Sequence, residues 1–342
     1  MRKIDDLSFE ELKDALLEIN EPKFKADQIF DWIHNKLSDS YDDMSNISQK
    51  TKEALKKEYE FTKAEIELKL QSKLDETKKY VIKFEDGNIV ESVFLKYKFG
   101  NTACISSQVG CKMGCHFCAS TKNGFIRNLT AAEMLKQVYL IQKDINEKIS
   151  NVVIMGSGEP LENFGNVLKF INIINDEKGQ NISMRKITLS TSGIVPNIYK
   201  LADENIPIKL AISLHAPTQG KREQIMPIAK KYKLPDIFKA CDYYVEATNR
   251  RLTFEYILIE GFNDSLEDAQ KLSDILKNKL AYVNLIPCNY VKEANINPPD
   301  NSDIEKFRNI LAESGITVTV RRELGSDINA ACGQLRNDLL KM

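Results

Sequence analysis

Three closely spaced cysteines constrain this chain more than any other feature of its sequence. Cys111, Cys115 and Cys118 are separated by intervals of four and three residues, and Gly110 and Gly114 stand directly before two of them. Glycine has no Cβ, so the backbone can pass close to a bulky inorganic group at those positions. A closed structural zinc site needs four ligands, and ferredoxin-type runs supply more than three thiolates.

The loop therefore favours an iron–sulfur cluster in which one iron has no protein ligand. The loop itself offers no fourth cysteine to close the site, and His116 stands between two of the thiols. An iron that the protein leaves open can bind a substrate or cofactor directly. The spacing thus predicts that the metal takes part in the chemistry.

Composition indicates a soluble globular protein with more than one domain. The chain has 342 residues, of which 42% are hydrophobic and 28% are charged. It lacks an apolar run of the roughly 18 residues that a bilayer requires, and its charged, amphipathic start does not resemble a signal peptide. We therefore expect a cytoplasmic protein without membrane contact. Four of the seven cysteines fall between residues 104 and 118, which favours metal or redox chemistry over a disulfide framework.

The charge is distributed unevenly along the chain. The net charge is −1, which by itself does not indicate a nucleic-acid partner. Residues 1–60 carry 10 Lys and Arg against 15 Asp and Glu, so the remaining residues are net basic. Any polyanion-binding surface is expected mainly on that larger part. A pair of basic residues such as Lys78-Lys79 or Arg321-Arg322 is nonetheless most often a solvated surface feature.

Two short regions precede the main part of the chain. Residues 1–60 show helical apolar spacing and predict a small helical accessory domain of three helices. Residues 61–100 contain two β-rich runs around Asp86-Gly87, which predicts a β-hairpin linker. Glu91 falls in its second strand, where a carboxylate is most often solvated on the outer face.

From residue 101 to residue 342, strand-like and helical stretches alternate. Strands are predicted at 152–155, 187–189, 208–214, 252–259, 282–286 and 316–320, and helices at 131–148, 164–176, 195–204, 235–247, 265–279 and 302–314. This alternation predicts right-handed β/α units around a largely parallel sheet. In a β/α barrel, chemistry collects where the strands end.

Polar residues stand at those predicted strand ends. They include Gly158 and Glu159, Ser190, Ser213 and His215, and Asn289, while Cys104 begins the cysteine loop. We expect them to face one mouth of the barrel.

Each of these positions is also compatible with a purely structural role. The short run from Gly156 to Glu159 lacks the third glycine of a dinucleotide fingerprint, Ser190 can cap a helix, and His215 can be a core histidine. Cys241 and Cys288 are expected to be inert buried thiols. Cys332 lies among small residues after a glycine, where a mobile thiol could reach a cleft.

Longer motifs add a resemblance to a known family. The run from Cys111 to Cys118, C-x-x-x-C-x-F-C, resembles the radical S-adenosylmethionine (SAM) signature, and nearly the whole chain resembles the RlmN/Cfr family of rRNA adenine methyltransferases. The resemblance rests on VESV at 90–93, CISSQVGCKMGCHFCAS at 104–120, GFIRNLTAAE at 124–133, MGSGEPLEN at 155–163, ITLSTSGIVP at 187–196, KLAISLHAP at 209–217, RRLTFEYILIEGFNDS at 250–265, VNLIPCN at 283–289 and GSDINAACGQL at 325–335. GEPLEN and RRLTFEY resemble the RlmN branch more than the Cfr branch.

This resemblance implies a fold and a set of site residues. The fold is an α/β, partial (β/α)6 TIM-like radical SAM barrel, with the helical accessory domain, the hairpin linker and a C-terminal extension that carries Cys332. Cys111, Cys115 and Cys118 would hold a [4Fe–4S] cluster. The SAM site would comprise Gly158, Glu159, Ser190, Ser213, Leu214, His215 and Asn289.

The resemblance also implies a reaction that uses SAM twice, because carbon 2 of adenine is electrophilic and cannot attack a sulfonium. One SAM would methylate Cys332, and a second would yield a 5′-deoxyadenosyl radical that activates this methyl group for addition to the adenine. Glu91 would act as the proton acceptor. Cys104 would then attack Cys332, forming a transient disulfide and releasing 2-methyladenine.

The implied partners are 23S rRNA, at the peptidyl transferase centre, and tRNA, at the adenine 3′ of the anticodon. An external electron donor such as flavodoxin or ferredoxin would reduce the cluster, and we expect a monomer. Two alternatives stay open: a Cfr-type enzyme that methylates carbon 8, and a non-catalytic RNA-binding protein with a structural metal. The second would be colourless and indifferent to SAM, and it would leave Cys332 without a role.

Overall fold

The computed structural model of the chain describes residues 1–122, 124–288 and 297–330. The chain begins with three helices, α1 (Phe9–Glu18), α2 (Lys25–His34) and α3 (Gln49–Glu58). Two short parallel strands, β1 (Arg2–Lys3) and β2 (Tyr59–Glu60), bring the two ends of this helical region together. The three predicted helices are therefore present.

Local capping and an apolar face explain why these helices form. Ser8 and Glu11 make a reciprocal capping box at the start of α1, and the Ser48 side chain caps α3. Leu12 and Leu16 of α1 are buried beside Phe30 of α2, as their spacing requires for residues on one helix face.

A ten-stranded sheet runs through the rest of the described chain. Its strands are β3 (Ala64–Gln71), β4 (Lys78–Phe84), β5 (Ile89–Tyr97), β6 (Gly100–Ile105), β9 (Asn151–Ile154), β10 (Ile187–Thr191), β11 (Lys209–Ser213), β12 (Leu252–Leu258), β13 (Ala281–Pro287) and β14 (Thr317–Val320). Two further strands, β7 (Gln108–Gly110) and β8 (Phe125–Asn128), pair separately beside the cysteine loop. The strand order is β14-β13-β12-β11-β10-β9-β6-β5-β4-β3.

Strands β6 and β9 to β14 run parallel, and helices connect them. The helices are α4 (Ala131–Ile145), α5 (Phe164–Asn175), α6 (Val195–Asp203), α7 (Gln219–Ile225), α8 (Leu234–Thr248), α9 (Leu266–Leu276) and α10 (Asn301–Glu313). Six β/α units are thus followed by the edge strand β14, and β14 does not pair with β6 among the described residues. The predicted partial (β/α)6 barrel is confirmed. Within the same part of the chain, every helix is too short or too polar to cross a membrane.

The two faces of the parallel strands differ in polarity. One face carries the residues of the main core, including Ile154, Leu189 and Ile212, which pack under the helices. Side chains alternate along a strand, so Ser190, Ser213 and Glu255 share the opposite, inner face. The polar side chains therefore gather inside the open barrel.

The predicted hairpin is present but is not isolated from the barrel. Strands β4 and β5 pair around the turn at Asp86-Gly87. Strand β3 pairs with β4, and β5 pairs antiparallel with β6, so all three strands extend the barrel sheet. The division of the chain at residues 60 and 100 stays a prediction.

Two adjacent carboxylates join the helical region to the barrel. Asp5 accepts hydrogen bonds from the backbone nitrogen and hydroxyl of Thr62, and it pairs with Lys136 of α4 at 3.2 Å. The side chains of Asp5 and Lys136 are 2% and 5% exposed. Asp6 accepts a hydrogen bond from the nitrogen of Ala132 at the start of α4.

We predict that Asp5→Ala lowers the free energy of unfolding by about 3 kcal/mol, because it leaves a buried ammonium without one of its partners. Asp14→Ala serves as the control, since Asp14 and Lys23 form an exposed pair at 3.7 Å and such pairs contribute at most about 1 kcal/mol. Urea unfolding of both variants measures the difference. Equal midpoints for the two variants would contradict the assigned role of Asp5.

Candidate active site

A cavity of about 150 Å³ lies at the carboxyl ends of the parallel strands. Eight of the predicted site residues line it, namely Cys111, Cys115, Cys118, Gly158, Glu159, Ser190, Ser213 and His215. These residues come from the cysteine loop and from the ends of β9, β10 and β11, so the parallel strand ends bring together groups far apart in the sequence.

Close backbone contacts hold the cysteine loop at the cavity. The nitrogen of Cys111 donates to the carbonyl oxygen of Gly124 at 3.0 Å. Gly110 has φ +74°, and a Cβ there would lie 1.9 Å from the same oxygen. Glycine is therefore required at position 110 because protein backbone lies close to it. The sequence alone predicts an inorganic group at this place instead.

Two of the three thiols that line the cavity, Cys111 and Cys115, are buried, and Cys118 is half-buried. Burial raises the pKa of Cys111 to about 12 and raises the pKa of Cys115 as well. Metal coordination offsets this cost because it deprotonates a thiol outright. Among the described residues, no three His, Cys, Asp or Glu side chains converge on one ion. Three thiols of one loop that line the same cavity fit a [4Fe–4S] cluster, in which each thiolate would bind a different iron.

Glu159 forms another wall of the cavity. Its side chain is fully buried, with one carboxylate oxygen accepting from the nitrogen of Ser192 at 2.7 Å and the other from the nitrogen of Leu161 at 3.0 Å. Burial raises the pKa of Glu159, while these hydrogen bonds oppose that shift. The carboxylate has further lone pairs available, so it can accept hydrogen bonds from a cationic amino group.

The backbone before Glu159 requires glycine. Gly158 has φ +108°, and a Cβ there would lie 2.6 Å from the Cβ of Gln108. Gln108 also accepts the backbone hydrogen bond of Glu159 through Oε1 at 2.8 Å. This contact fixes the position at which the carboxylate enters the cavity.

His215 lines the cavity, and a hydrogen bond fixes the tautomer of its ring. Its Nδ1 accepts from the nitrogen of Ile257 at 3.0 Å, which leaves the proton of the neutral ring on Nε2. Burial lowers the pKa of His215 to about 3, so the ring is neutral at pH 7. The backbone of His215 has φ +59°, which is uncommon for a residue with a side chain.

The remaining predicted SAM-site residues differ in their placement. The hydroxyl oxygens of Ser190 and Ser213 are 3.5 Å apart on neighbouring strands. Leu214 is fully buried and does not line the cavity; its carbonyl oxygen accepts from Nε of Arg222 at 3.2 Å. Asn289 lies outside the described residues.

A second cavity of about 630 Å³ adjoins the first. Cys104 lines it, together with Arg321, Arg322 and Ala330. The two cavities share Met155, Ile286 and Arg321 as a common wall. Cys104 is thus separated from the thiols of the cysteine loop but lies next to their cavity.

The structure contradicts the pattern-based expectation of a solvated Glu91. Glu91 is 6% exposed and pairs with Lys79 at 2.9 Å, and Lys79 is itself 6% exposed. Glu91 shares one face of β5 with Val93 and Leu95, and that face is enclosed because Ile328 and Ala330 pack against it. The solvated interpretation of the Lys78-Lys79 pair is wrong for Lys79 for the same reason.

Cys332 lies outside the described residues, but the segment before it is placed. Ala330 is buried in one cluster with Cys104 and Val93. The predicted roles of Cys332, Cys104 and Glu91 stay predictions.

Sequence reasoning missed two buried charged residues at the site. Glu255 lines the first cavity and accepts from Nδ2 of Asn284 at 2.8 Å, and burial raises its pKa. Arg222 is fully buried and donates to the carbonyl oxygens of Ser192 and Ser213, which joins the ends of two strands. A charged residue within the apolar strand β12 was a usable signal for Glu255, whereas the sequence around Arg222 gives none.

Comparisons with known proteins agree with this geometry. Residues 105–272 match the model of the radical SAM superfamily, and residues 3–61 match that of the ribosomal RNA large subunit methyltransferase N-terminal domain. A crystal structure of a radical SAM methyltransferase from Sphaerobacter thermophilus superposes with a TM-score of 0.94 at 39% identity, covering 98% of this chain and 99% of that one. The fold and the site therefore define a radical SAM enzyme, which uses a [4Fe–4S] cluster and SAM.

Full-length relatives define the family more closely. A Clostridium botulinum (strain Okra) protein named "Probable dual-specificity RNA methyltransferase RlmN" is 53% identical over 336 residues, covering 98% of each chain. A protein of the same name from Clostridium novyi is 52% identical over 341 residues, covering 100% of this chain and 99% of that one. The chain belongs to the RlmN family, as the sequence motifs indicated.

We predict that Gly158→Ala weakens SAM binding at least about tenfold, because the displaced backbone moves Glu159 and a charged hydrogen bond contributes on the order of 1.5–3 kcal/mol. Gly165→Ala is the matched control, since a Cβ at Gly165 meets open space. Equilibrium binding of SAM to the anaerobically reconstituted variants measures the effect. Unchanged affinity in the Gly158 variant would show that this turn does not position the SAM site.

Proposed function

We propose that this enzyme methylates carbon 2 of adenine in 23S rRNA and in tRNA, through a methyl group carried on Cys332. One observation carries the proposal: the cavity of the three thiols shares a wall with the cavity of Cys104, against which Ala330 packs. Cys332 follows Ala330 by two residues, and two residues span at most about 7 Å. The names of the relatives, "Probable dual-specificity RNA methyltransferase RlmN", support the methylation of RNA with two specificities.

The first cavity supplies the groups for SAM. Cys111, Cys115 and Cys118 would hold the cluster, and the Glu159 carboxylate would accept hydrogen bonds from the amino group of SAM. Ser190, Ser213 and His215 line the rest of the cavity. The family resemblance adds the backbone near Leu214 and Asn289, which lies outside the described residues. When bound, the cluster supplies the electron that splits one SAM into methionine and a 5′-deoxyadenosyl radical, which takes a hydrogen atom from the methyl group on Cys332.

Cys332 has two tasks in this scheme. Its thiolate, formed by loss of the thiol proton to solvent, first attacks the methyl carbon of a separate SAM. The sulfonium–methyl bond breaks, S-adenosylhomocysteine leaves, and S-methylcysteine is formed. After the hydrogen atom is removed, the remaining methylene group forms a carbon–carbon bond with carbon 2 of adenine, so the RNA is tethered to the protein. Radical chemistry requires a site that excludes water and prevents side reactions. The buried walls of the cavity serve this purpose.

Glu91 and Cys104 complete the reaction. Once the adduct radical has given one electron to a one-electron acceptor, for which the oxidised cluster would serve, Glu91 accepts the proton from carbon 2. The Cys104 sulfur then attacks Cys332 and forms the disulfide, while the electron pair of the broken sulfur–carbon bond stays on the methylene carbon, which takes a proton and becomes the methyl group. Cys104 is 5% exposed, so its thiol is shielded from other oxidants.

The second cavity is wide enough to admit a nucleobase, and its lining combines two arginines with the carboxylates of Glu305 and Glu323. Arg321 and Arg322 line it, and guanidinium groups bind phosphate and stack on bases. The target adenine has to leave its stack to reach carbon 2. We place the reaction in the cytoplasm, with flavodoxin or ferredoxin as the electron donor and a monomer as the active form.

Anaerobic reconstitution followed by reaction with SAM and an rRNA fragment tests the proposal. We expect 2-methyladenosine, identified by mass spectrometry and chromatography against standards, because the family motifs follow the RlmN branch. The same assay with a tRNA anticodon stem-loop tests the second substrate. Detection of 8-methyladenosine instead would identify the Cfr-type activity and overturn the assignment of carbon 2.

Cysteine variants separate the two thiol roles. We predict that Cys332→Ala gives no turnover, whereas Cys104→Ala accumulates RNA covalently bound to the protein, because the tether forms but cannot be released. Cys241→Ala is the control, since Cys241 is buried in α8, away from both cavities. Denaturing gels with labelled RNA resolve the adduct, and free methylated RNA from the Cys104 variant would rule out its resolving role.

A further inference from the structure

Lys79 occupies an unusual position for a lysine. It lies on β4, is 6% exposed, and its Nζ is 2.9 Å from Oε1 of Glu91. Its chain neighbour Lys78 points to the other face of the strand, where its Nζ lies 3.8 Å from Asp144 of α4. Burial of an ammonium group costs free energy unless it is paired, so the placement of Lys79 depends on the groups it contacts.

The sheet register places Lys79 beside the proposed chemistry. Lys79 is opposite Val93 on β5, and Val93 is opposite Cys104 on β6. Glu91 precedes Val93 by two residues and therefore lies on the same face, diagonal to Lys79. The ammonium, the carboxylate and the Cys104 thiol thus occupy neighbouring positions on the inner face of three adjacent strands.

The second contact of Lys79 reaches the segment that leads to Cys332. Its Nζ donates to the carbonyl oxygen of Asn329 at 3.3 Å. The β3–β4 turn holds the same segment, because Asp75 accepts from the nitrogen of Gly325 at 3.0 Å and Asp327 accepts from the hydroxyl of Ser72 at 2.7 Å. Lys79 therefore connects the carboxylate of Glu91 to an anchored segment three residues before Cys332.

The contacts of Lys79 with Glu91 and with the Asn329 carbonyl suit a reaction in which Glu91 accepts a proton. A buried carboxylate tends to become neutral, and a neutral acid cannot act as a base; the adjacent ammonium stabilises the ionised form of Glu91. When Glu91 takes the proton, the ammonium loses its counter-charge but keeps the Asn329 carbonyl as an acceptor. The charge of Lys79 thus stays hydrogen-bonded in both states.

We propose that Lys79 is a positioning residue that holds Glu91 ionised and directed at the adenine while the Cys332 segment is docked. This role rests on the proposed function. The step that it supports is a heterolytic one: the bond between carbon 2 and its hydrogen breaks, the electron pair stays in the adenine ring, and the proton passes to a carboxylate oxygen of Glu91. Lys79 itself neither gains nor loses a proton.

The test uses RNA with deuterium at carbon 2 of the target adenine and a Cys104→Ala parent that traps the adduct. Lys79→Gln is added to this parent, because glutamine keeps a hydrogen-bond donor but removes the charge. Lys78→Gln is the matched control on the opposite face, and Lys79→Arg tests rescue by a retained charge. Mass spectrometry measures the deuterium in the adduct and the methylation of Cys332.

We expect the parent, the Lys78→Gln control and the Lys79→Arg variant to yield adduct that has lost its deuterium. In the Lys79→Gln variant, loss of deuterium should slow at least about tenfold, since a general base contributes on the order of 10²–10⁴-fold. Methylation of Cys332 in that variant should match the parent, because this earlier step does not use Glu91.

Two results would overturn the role of Lys79. One is deuterium loss in Lys79→Gln at the parent rate. The other is an equal loss of Cys332 methylation and deuterium release, which would mean that the lysine only maintains the fold. A parent that forms no adduct at all would instead overturn the proposed function, and this role with it.

Discussion

The hydrogen bonds of the buried Glu159 carboxylate are the interaction on which the geometry of the cavity beside the cysteine loop depends. A carboxylate removed from water needs hydrogen bonds to remain there, and Glu159 receives them from backbone nitrogens of Ser192 and Leu161. These donors join the end of β9 to the end of β10, while Gln108 ties the backbone of Glu159 to β7. One side chain therefore fixes the distance between the cysteine loop and the strand ends.

The inner face of the open barrel carries polar groups because the sheet does not close. In a closed barrel, inward-pointing side chains fill the interior as a packed core. Here β14 does not pair with β6 among the described residues, and the inner face opens into two adjoining cavities. The antiparallel strands β5 and β4 extend this face beyond the barrel, so the surface that holds the cluster is continuous with the one that carries Glu91 and Lys79.

The sequence predicted the features that depend on local spacing. The cysteine intervals indicated the metal loop, the alternation of runs predicted the six β/α units, and Asp86-Gly87 predicted the turn of the hairpin. The strand ends placed Ser190, Ser213 and His215 near the thiols because parallel strands end at one edge. The family motifs, rather than the spacing alone, pointed to Glu91, Cys104 and Cys332.

Features that depend on contacts between distant segments could not be predicted. A lysine pair and a strand carboxylate are usually solvated, and only the packing of residues 328–330 against this face of the sheet shows that Lys79 and Glu91 are enclosed. Arg222 is buried because it reaches carbonyl oxygens of two strands, which no pattern around it reveals. Leu214 is the opposite case, because the sequence motif placed it at the site. Its neighbours Ser213 and His215 line the cavity, while its own side chain belongs to the core.

The proposed chemistry requires three thiols that leave one iron open beside a carboxylate able to hold an amino group. Electron paramagnetic resonance of the reduced, anaerobically reconstituted protein, recorded with and without SAM, tests this requirement most directly. A cluster signal that shifts when SAM is added, as direct ligation of the open iron requires, is the predicted result. A cluster signal that SAM leaves unchanged would contradict this arrangement of the site.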